Sequence, residues 1–456
     1  RQEIGSDQLE KKHKRTGAGV VVALVDTGVT EVPDVSGRLV SVADPMASAV
    51  DLAGTAQVPC VNFSGEPDCA DTFGHGTFMA GLIAGDGTSS KGTYKGAAPK
   101  ARILSVKVGG RDGSADVSKV LAGIQWVVSF ADTYKIKVLN LSLGTDSTAP
   151  TNVDPLNLAV QRAWVKGITV VVSAGNFGAE RRVNTSGEYG TVTKPGDDPY
   201  VITVGAVDDI ETTAITDDRL PNFTSWGPTA HGREKPDVVA PGGRLISLRA
   251  SGSVIDGLPG AIDNNYRRGS GTSMSAAVVS GLAAQLLQGA DASWTPDRVK
   301  AALMATAVPV ASTDINAVGK GLVQGPQALT ARVTFTPRTG TELGSAAGMG
   351  LLADSRGTVQ TCLSDLLGCP LLLGEWTAQG RNWHGELYYT DSWTATGWYA
   401  SQWVLDPTGR NWHTETWAGR NWHGAGWQGS TYDGGSADTR SYGEILPGSG
   451  SYGAWG

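Results

Sequence analysis

The sequence predicts an α/β chain: a doubly wound, mostly parallel sheet followed by a small Trp-repeat appendage at the C-terminus that is β-rich or irregular. Two observations predict it. Short apolar, β-branched runs alternate with stretches of helical spacing as far as Val308, and elements alternating in this way pack as a parallel sheet with helices on both faces. Composition then shifts: four of the 14 tryptophans precede residue 376 and ten lie from Trp376 onward.

Gly19 to Val25 is a buried strand, ended by Asp26-Thr27-Gly28. Residues 30 to 70 read as loop. Asp71-Thr72-Phe73-Gly74-His75-Gly76-Thr77 leads into an apolar helix through Ala84, with His75 at its start. Ala101 to Val108 is a strand, and Val117 to Ser129 has helical spacing with Val120, Leu121, Ile124, Val127 and Val128 on one side. Val138 to Leu143 is a strand, Leu156 to Lys166 a helix stopped by Gly167, and Ile168 to Ser173 a strand leading to Ala174-Gly175-Asn176. Val201 to Val207 and Val238 to Ala240 are further strands. Arg268 to Ser275 is a glycine-flexed loop that delivers Ser273 to a helix start. Ala276 to Leu287 is almost wholly small or apolar, so that helix is buried. Thr295-Pro296-Asp297 caps a last long helix over Val299 to Val308.

The length of 456 residues allows two or three domains. Charged residues are 18% of the chain and the net charge is -7, with no basic block, so nucleic acid is not an expected partner. No run of 18 apolar residues exists, so no transmembrane segment is expected. Arg1 to Arg15 reads neither as a signal peptide nor as a membrane anchor. The four cysteines form two close pairs, Cys60 with Cys69 and Cys362 with Cys369. This favours two local disulfides in an oxidising compartment, the alternative being free thiols. Neither pair has the spacing of a zinc site.

Asp26 at a strand end, His75 at a helix start and Ser273 at another helix start can meet at the edge of one sheet, where strands present their C-terminal ends. A serine hydroxyl needs a base to become nucleophilic. Imidazole can take and return that proton near neutral pH, and a buried carboxylate holds its tautomer. The segments Val25-Asp26-Thr27-Gly28, His75-Gly76-Thr77, Ser173-Ala174-Gly175-Asn176 and Gly271-Thr272-Ser273-Met274, in this order, resemble the subtilisin-like serine proteases. Two further stretches, Phe223 to Pro228 and Asp237 to Gly242, look like family segments, and the similarity runs from about residue 4 to residue 329.

The resemblance implies a subtilisin-like fold and a serine endopeptidase. It implies that Asp26 orients His75, that His75 is base and then acid, and that Ser273 attacks. Asn176 and the Ser273 N–H would hold the oxyanion. Leu141, Ser142, Leu143 and Gly144 resemble the edge that pairs with an extended peptide, and Ser173, Ala174 and Gly175 form part of the pocket for the side chain before the cleaved bond. Lys194-Pro195 resembles a turn with a cis proline. Two positions depart from the family: Phe78 stands where a second histidine is common, and Ala277 where a proline is usual. Neither is a proton-transfer group. No cofactor is called for and no metal ligands are assigned; structural calcium, a family feature, finds no definite position. The acidic doublets Asp197-Asp198, Asp208-Asp209 and Asp217-Asp218 read as solvated turns.

The expected organisation is a catalytic domain over 1–329, a linker with a small Cys-paired segment over 330–375, and a Trp/Gly-rich repeat region over 376–456. In the last, Arg-Asn-Trp-His occurs at Arg381 to His384, Arg410 to His413 and Arg420 to His423, and tryptophans recur every five residues from Trp393 to Trp403 and from Trp412 to Trp427. These repeats resemble those of some actinobacterial subtilases. The reading is a secreted, extracellular enzyme acting on protein or peptide substrates. The alternative is an assembly or surface- and glycan-binding protein in which the tail acts and the protease part is a scaffold.

Overall fold

The computed structural model describes residues 1–43, 57–184, 187–338 and 351–357, together with the backbone of 361–362 and 431–432. The side chains of Cys362 and Cys369 and the tryptophan repeats lie outside the described residues.

The chain enters through helix α1 (Ser6–His13) and strand β1 (Val21–Asp26). Every residue of β1 is buried, so the strand needs cover on both faces, as its unbroken apolar run requires. Two short strands, β2 (Val42–Ala43) and β3 (Gln57–Val58), pair antiparallel, and β4 (Cys60–Asn62) follows. Next come α2 (His75–Ala84), β5 (Arg102–Lys107), α3 (Val117–Tyr134), β6 (Ile136–Leu141), α4 (Pro155–Val165) and β7 (Thr169–Ser173). A small hairpin, β8 (Arg182–Asn184) and β9 (Gly187–Tyr189), precedes β10 (Ile202–Val207) and β11 (Val238–Pro241). Antiparallel β12 (Leu245–Leu248) and β13 (Tyr266–Gly269) then lead into α5 (Thr272–Leu287). The described body ends with α6 (Pro296–Ala305), α7 (Ile315–Val318), α8 (Gly325–Thr330) and, after 339–350, α9 (Leu352–Arg356).

The central sheet has seven strands in the order β11-β10-β7-β6-β1-β5-β4, and every neighbouring pair is parallel. Helices α2 and α5 pack together on one face, and α3 and α4 on the other. The expected α/β fold with a parallel sheet is therefore present. Helix starts follow their caps: Asp116 accepts from the Ser118 N–H ahead of α3, Asp154 from Asn157 ahead of α4, and Thr295 from Arg298 ahead of α6.

Three expectations need correction. Residues 30–70 are not simply loop, because β4 lies inside them and forms the sheet edge beside β5. Its three residues are too few to show periodicity. Helix α3 runs on to Tyr134, carried by Trp126, whose ring stacks on both Phe130 and Tyr134. The acidic doublets are mostly not solvated: Asp197, Asp198, Asp208 and Asp218 are buried. Partners for three of them come from distant segments. Asn157 Nδ2 donates to Asp197 Oδ1 at 2.9 Å, Gln161 donates to Asp198 at 2.7 Å, and Arg244 reaches Asp208 at 2.9 Å.

Candidate active site

Asp26 closes β1 and His75 opens α2. The Asp26 Oδ1 atom lies 2.8 Å from His75 Nδ1, and both side chains are buried. The approach is built by the two turns. Gly28 has φ +107°, and a Cβ on Gly76 would lie 2.0 Å from the Gly28 carbonyl oxygen. Only glycine at both places lets the first turn of α2 press against the turn after Asp26. Thr27 and Asp71 then lock the two together. Thr27 Oγ1 accepts from the Gly76 N–H at 3.0 Å and donates to Asp71 Oδ1 at 2.8 Å. Asp71 also accepts from the N–H groups of Gly74 at 2.6 Å and Thr77 at 2.7 Å, capping α2. Burial pushes the Asp71 carboxyl up, against the pull of these donors.

Ser273 is the second residue of α5, where the backbone N–H groups have no acceptor within the helix. Its Oγ donates to the Ser142 carbonyl at 3.2 Å, and Ser142 Oγ returns a bond to the Ser273 carbonyl at 3.1 Å. The nucleophile candidate is thus tied to the stretch that follows β6. Leu141 is a ladder residue paired to both β1 and β7, so the free part of that edge begins at Ser142 and runs to Gly144.

Asn176 sits opposite. Its Oδ1 accepts from both the backbone N–H of Thr272 at 2.9 Å and the Thr272 hydroxyl at 3.0 Å. Two donors on one atom identify it as the oxygen and set the amide plane. Among the described residues the Nδ2 atom is then buried with no hydrogen-bond partner. Asp26 Oδ2 is likewise buried and unpartnered.

Ser173 ends β7, and Ala174 and Gly175 continue from it. Gly175 donates to Thr272 Oγ1 at 3.1 Å. Thr193 lies between the two edges: a Cβ on Gly144 would stand 2.5 Å from its Oγ1, and one on Gly175 2.8 Å from its Cγ2. The Lys194–Pro195 peptide is cis. Phe78 is wholly buried and α5 runs unbroken through Ala277, so both departures are absorbed by packing. Cys60 and Cys69 form a disulfide, and Lys107 ties the same loop to β5 through Glu66 at 2.5 Å and the Ala70 carbonyl. Among the described residues no group of three His, Cys, Asp or Glu side chains is arranged to hold a metal ion.

The sequence nominates Asp26, His75, Asn176 and Ser273, and it does not nominate four residues that the structure places at the same site: Thr27, Asp71, Thr272 and Thr193. Asp71 carried a usable signal, an acidic residue just ahead of a helix start. The others act through contacts between distant segments.

The profile of the subtilase family (peptidase S8) matches residues 17–350. The chain belongs to the subtilase family. Serine protease AprX of Bacillus subtilis (strain 168) is 38% identical over 315 residues, covering 68% of this chain and 65% of AprX. The chain therefore spans about 65% of that relative's length. Subtilisin Savinase of Lederbergia lenta is 32% identical over 327 residues, covering 71% of this chain and 97% of Savinase. The crystal structure of MycP1 with its N-terminal propeptide removed superposes with a TM-score of 0.51 at 27% identity, covering 74% of this chain and 98% of that one. The family and the fold are those of the subtilisin-like serine proteases. Among the described residues no helix is long and apolar enough to cross a membrane.

Proposed function

We propose that Ser273, His75 and Asp26 are the catalytic triad of a peptide-bond hydrolase working through an acyl-enzyme, with Asn176 as the side-chain donor to the oxyanion. The observation that carries this reading is the Asn176 amide: its oxygen is anchored by Thr272, and its Nδ2 is buried beside the nucleophile with nothing to donate to. An unpartnered buried donor costs about 1–3 kcal/mol, a cost that a developing negative charge at that point would remove.

Ser273 Oγ attacks the scissile carbonyl carbon while His75 Nε2 takes the hydroxyl proton. Asp26, bonded to Nδ1, fixes the tautomer and stabilises the imidazolium that forms. Asn176 Nδ2 and the Ser273 N–H hold the oxyanion. His75 then gives the proton to the leaving amine, and water repeats the sequence on the acyl-enzyme. Ser142 to Gly144 would pair with the acyl-side peptide as an added strand. The slot between Gly144 and Gly175, with Ser173 and Ala174 on one wall and Thr193 at its base, would take the side chain before the cleaved bond.

The Cys60–Cys69 bridge supports an oxidising, extracellular location. We read 1–329 as the catalytic domain, 330–375 as a connecting segment and 376–456 as an appendage.

Asn176→Ala tests the reading. Its kcat on a peptide anilide should fall about 10²–10³-fold with KM within a few-fold. An unchanged kcat, or a loss confined to KM, would contradict it.

A further inference from the structure

A short segment from beyond residue 350 is built into the flank of the proposed substrate edge. Helix α9 lies against α3 and α4, with Leu352 wholly buried. Arg356 is 3% exposed. Its Nε donates to Asp116 Oδ2 at 2.7 Å and its Nη2 to Asp116 Oδ1 at 3.3 Å, a fork on the residue that caps α3. Burial alone would push the Asp116 carboxyl up, but Arg356 outweighs it and holds the group below the ordinary carboxylate range.

This anchor places the end of α9 on the loop that continues the edge. Thr145 Oγ1 donates to the Ser355 carbonyl at 2.8 Å, and Ser147 Oγ donates to the Asp354 carbonyl. Gly357, at φ +70°, lies so close that a Cβ there would stand 2.3 Å from Asp146 Oδ1. From the other side the loop is pinned by Lys194, through paired backbone bonds with Thr145 of 3.0 and 2.8 Å. Thr145 is three residues past Ser142, whose carbonyl accepts from Ser273 Oγ. At about 3.3 Å per extended residue, Thr145 stands roughly 10 Å along the edge, level with the third or fourth acyl-side residue of a bound peptide.

We infer that α9 is a specificity element and Arg356 a positioning residue, holding loop 145–147 in place for the distal acyl-side residues of an extended peptide substrate. The inference rests on reading Ser142 to Gly144 as the substrate edge. It separates two substrate classes: a single-residue ester touches only the centre of the site, whereas a tetrapeptide anilide reaches the loop.

The test uses the full chain and the variants Arg356→Ala, Arg356→Lys and Ser147→Ala, with rates expressed per serine titrated by a fluorophosphonate. Arg356→Ala should raise KM for the tetrapeptide about tenfold while leaving kcat and KM for the ester within about twofold. Arg356→Lys should recover part of the loss, and Ser147→Ala should raise the tetrapeptide KM about twofold to threefold. If Arg356→Ala does not fold, Ser147→Ala decides alone. An unchanged tetrapeptide KM, or equal losses on both substrates, would overturn the inference and leave α9 a plain structural staple. A native chain that fails to titrate would instead overturn the proposed active site, and with it this inference.

Discussion

Two buried polar clusters stand on the same sheet and are finished differently. At the end of β1, Asp26 meets His75, and close by stands Asn176. Here the buried atoms Asp26 Oδ2 and Asn176 Nδ2 have no partner among the described residues. At the start of β11, Asp237 is closed. Its Oδ2 accepts from Lys235 Nζ at 2.7 Å and from the Thr203 N–H at 2.8 Å, and its Oδ1 lies 2.9 Å from Lys300 Nζ. The lysines spend their remaining donors on Thr203 Oγ1 and on the carbonyls of Val201 and Pro199. Burial pushes the Asp237 carboxyl up, but the two ammonium groups outweigh it and hold the group below its usual range. Burial also takes Lys300 down to about 8. A closed cluster specifies packing, whereas buried polar atoms left open next to a nucleophile are held ready for a charge that is not yet there.

Substitutions at the two clusters should therefore separate rate from stability. Asp26→Asn keeps the shape but offers His75 the wrong partner. It should lower kcat about 10⁴-fold, with a thermal midpoint near the native one. A loss of only a few-fold, or a large fall in midpoint, would merge the two clusters. Asp237→Ala leaves two buried ammonium groups facing no carboxylate. It should cost about 3–5 kcal/mol in denaturant unfolding of the phosphonylated enzyme, with kcat per titrated site unchanged within about twofold.

The smallest effect concerns a third place, where two carboxyl groups face each other. Glu3 and Asp218 are both buried, and none of their four carboxyl oxygens has a hydrogen-bond partner among the described residues. Burial, with Asp218 and Asp209 adding to it, pushes the Glu3 carboxyl from 4.5 up to about 9. Between those values the folded chain holds a proton that the unfolded chain has released, so this group's contribution to stability falls as pH rises through that window. Glu3→Gln lacks the titration. Its stability relative to the native chain should grow from pH 4.5 to about 9 and level off above, as followed by unfolding midpoints. A constant difference across that range would show that Glu3 does not keep its proton in the folded chain.

How much of this was legible beforehand follows from range. Strands β1, β7 and β10 announce themselves as β-branched runs, and α6 through Thr295-Pro296, because these signals are local. The triad candidates were legible because each sits in a short motif whose glycines serve a local turn. Strand β4 was not, since three residues become a strand only by pairing with β5. Asp197 and Asp198 read as solvated because adjacent acids usually are, and side chains that bond them, Asn157 and Gln161, come from elsewhere in the chain. Thr27, Thr272 and Arg356 share this character. Each is an ordinary residue until the fold brings its partner within hydrogen-bond distance.

The central claim is that the open cluster is chemical, and the most direct test is fluorophosphonate labelling of the intact chain, with the modified peptide located by mass spectrometry. One label per chain is expected, on Ser273, and none on a folded Ser273→Ala variant. A label elsewhere, or a folded native chain that takes none, would contradict it.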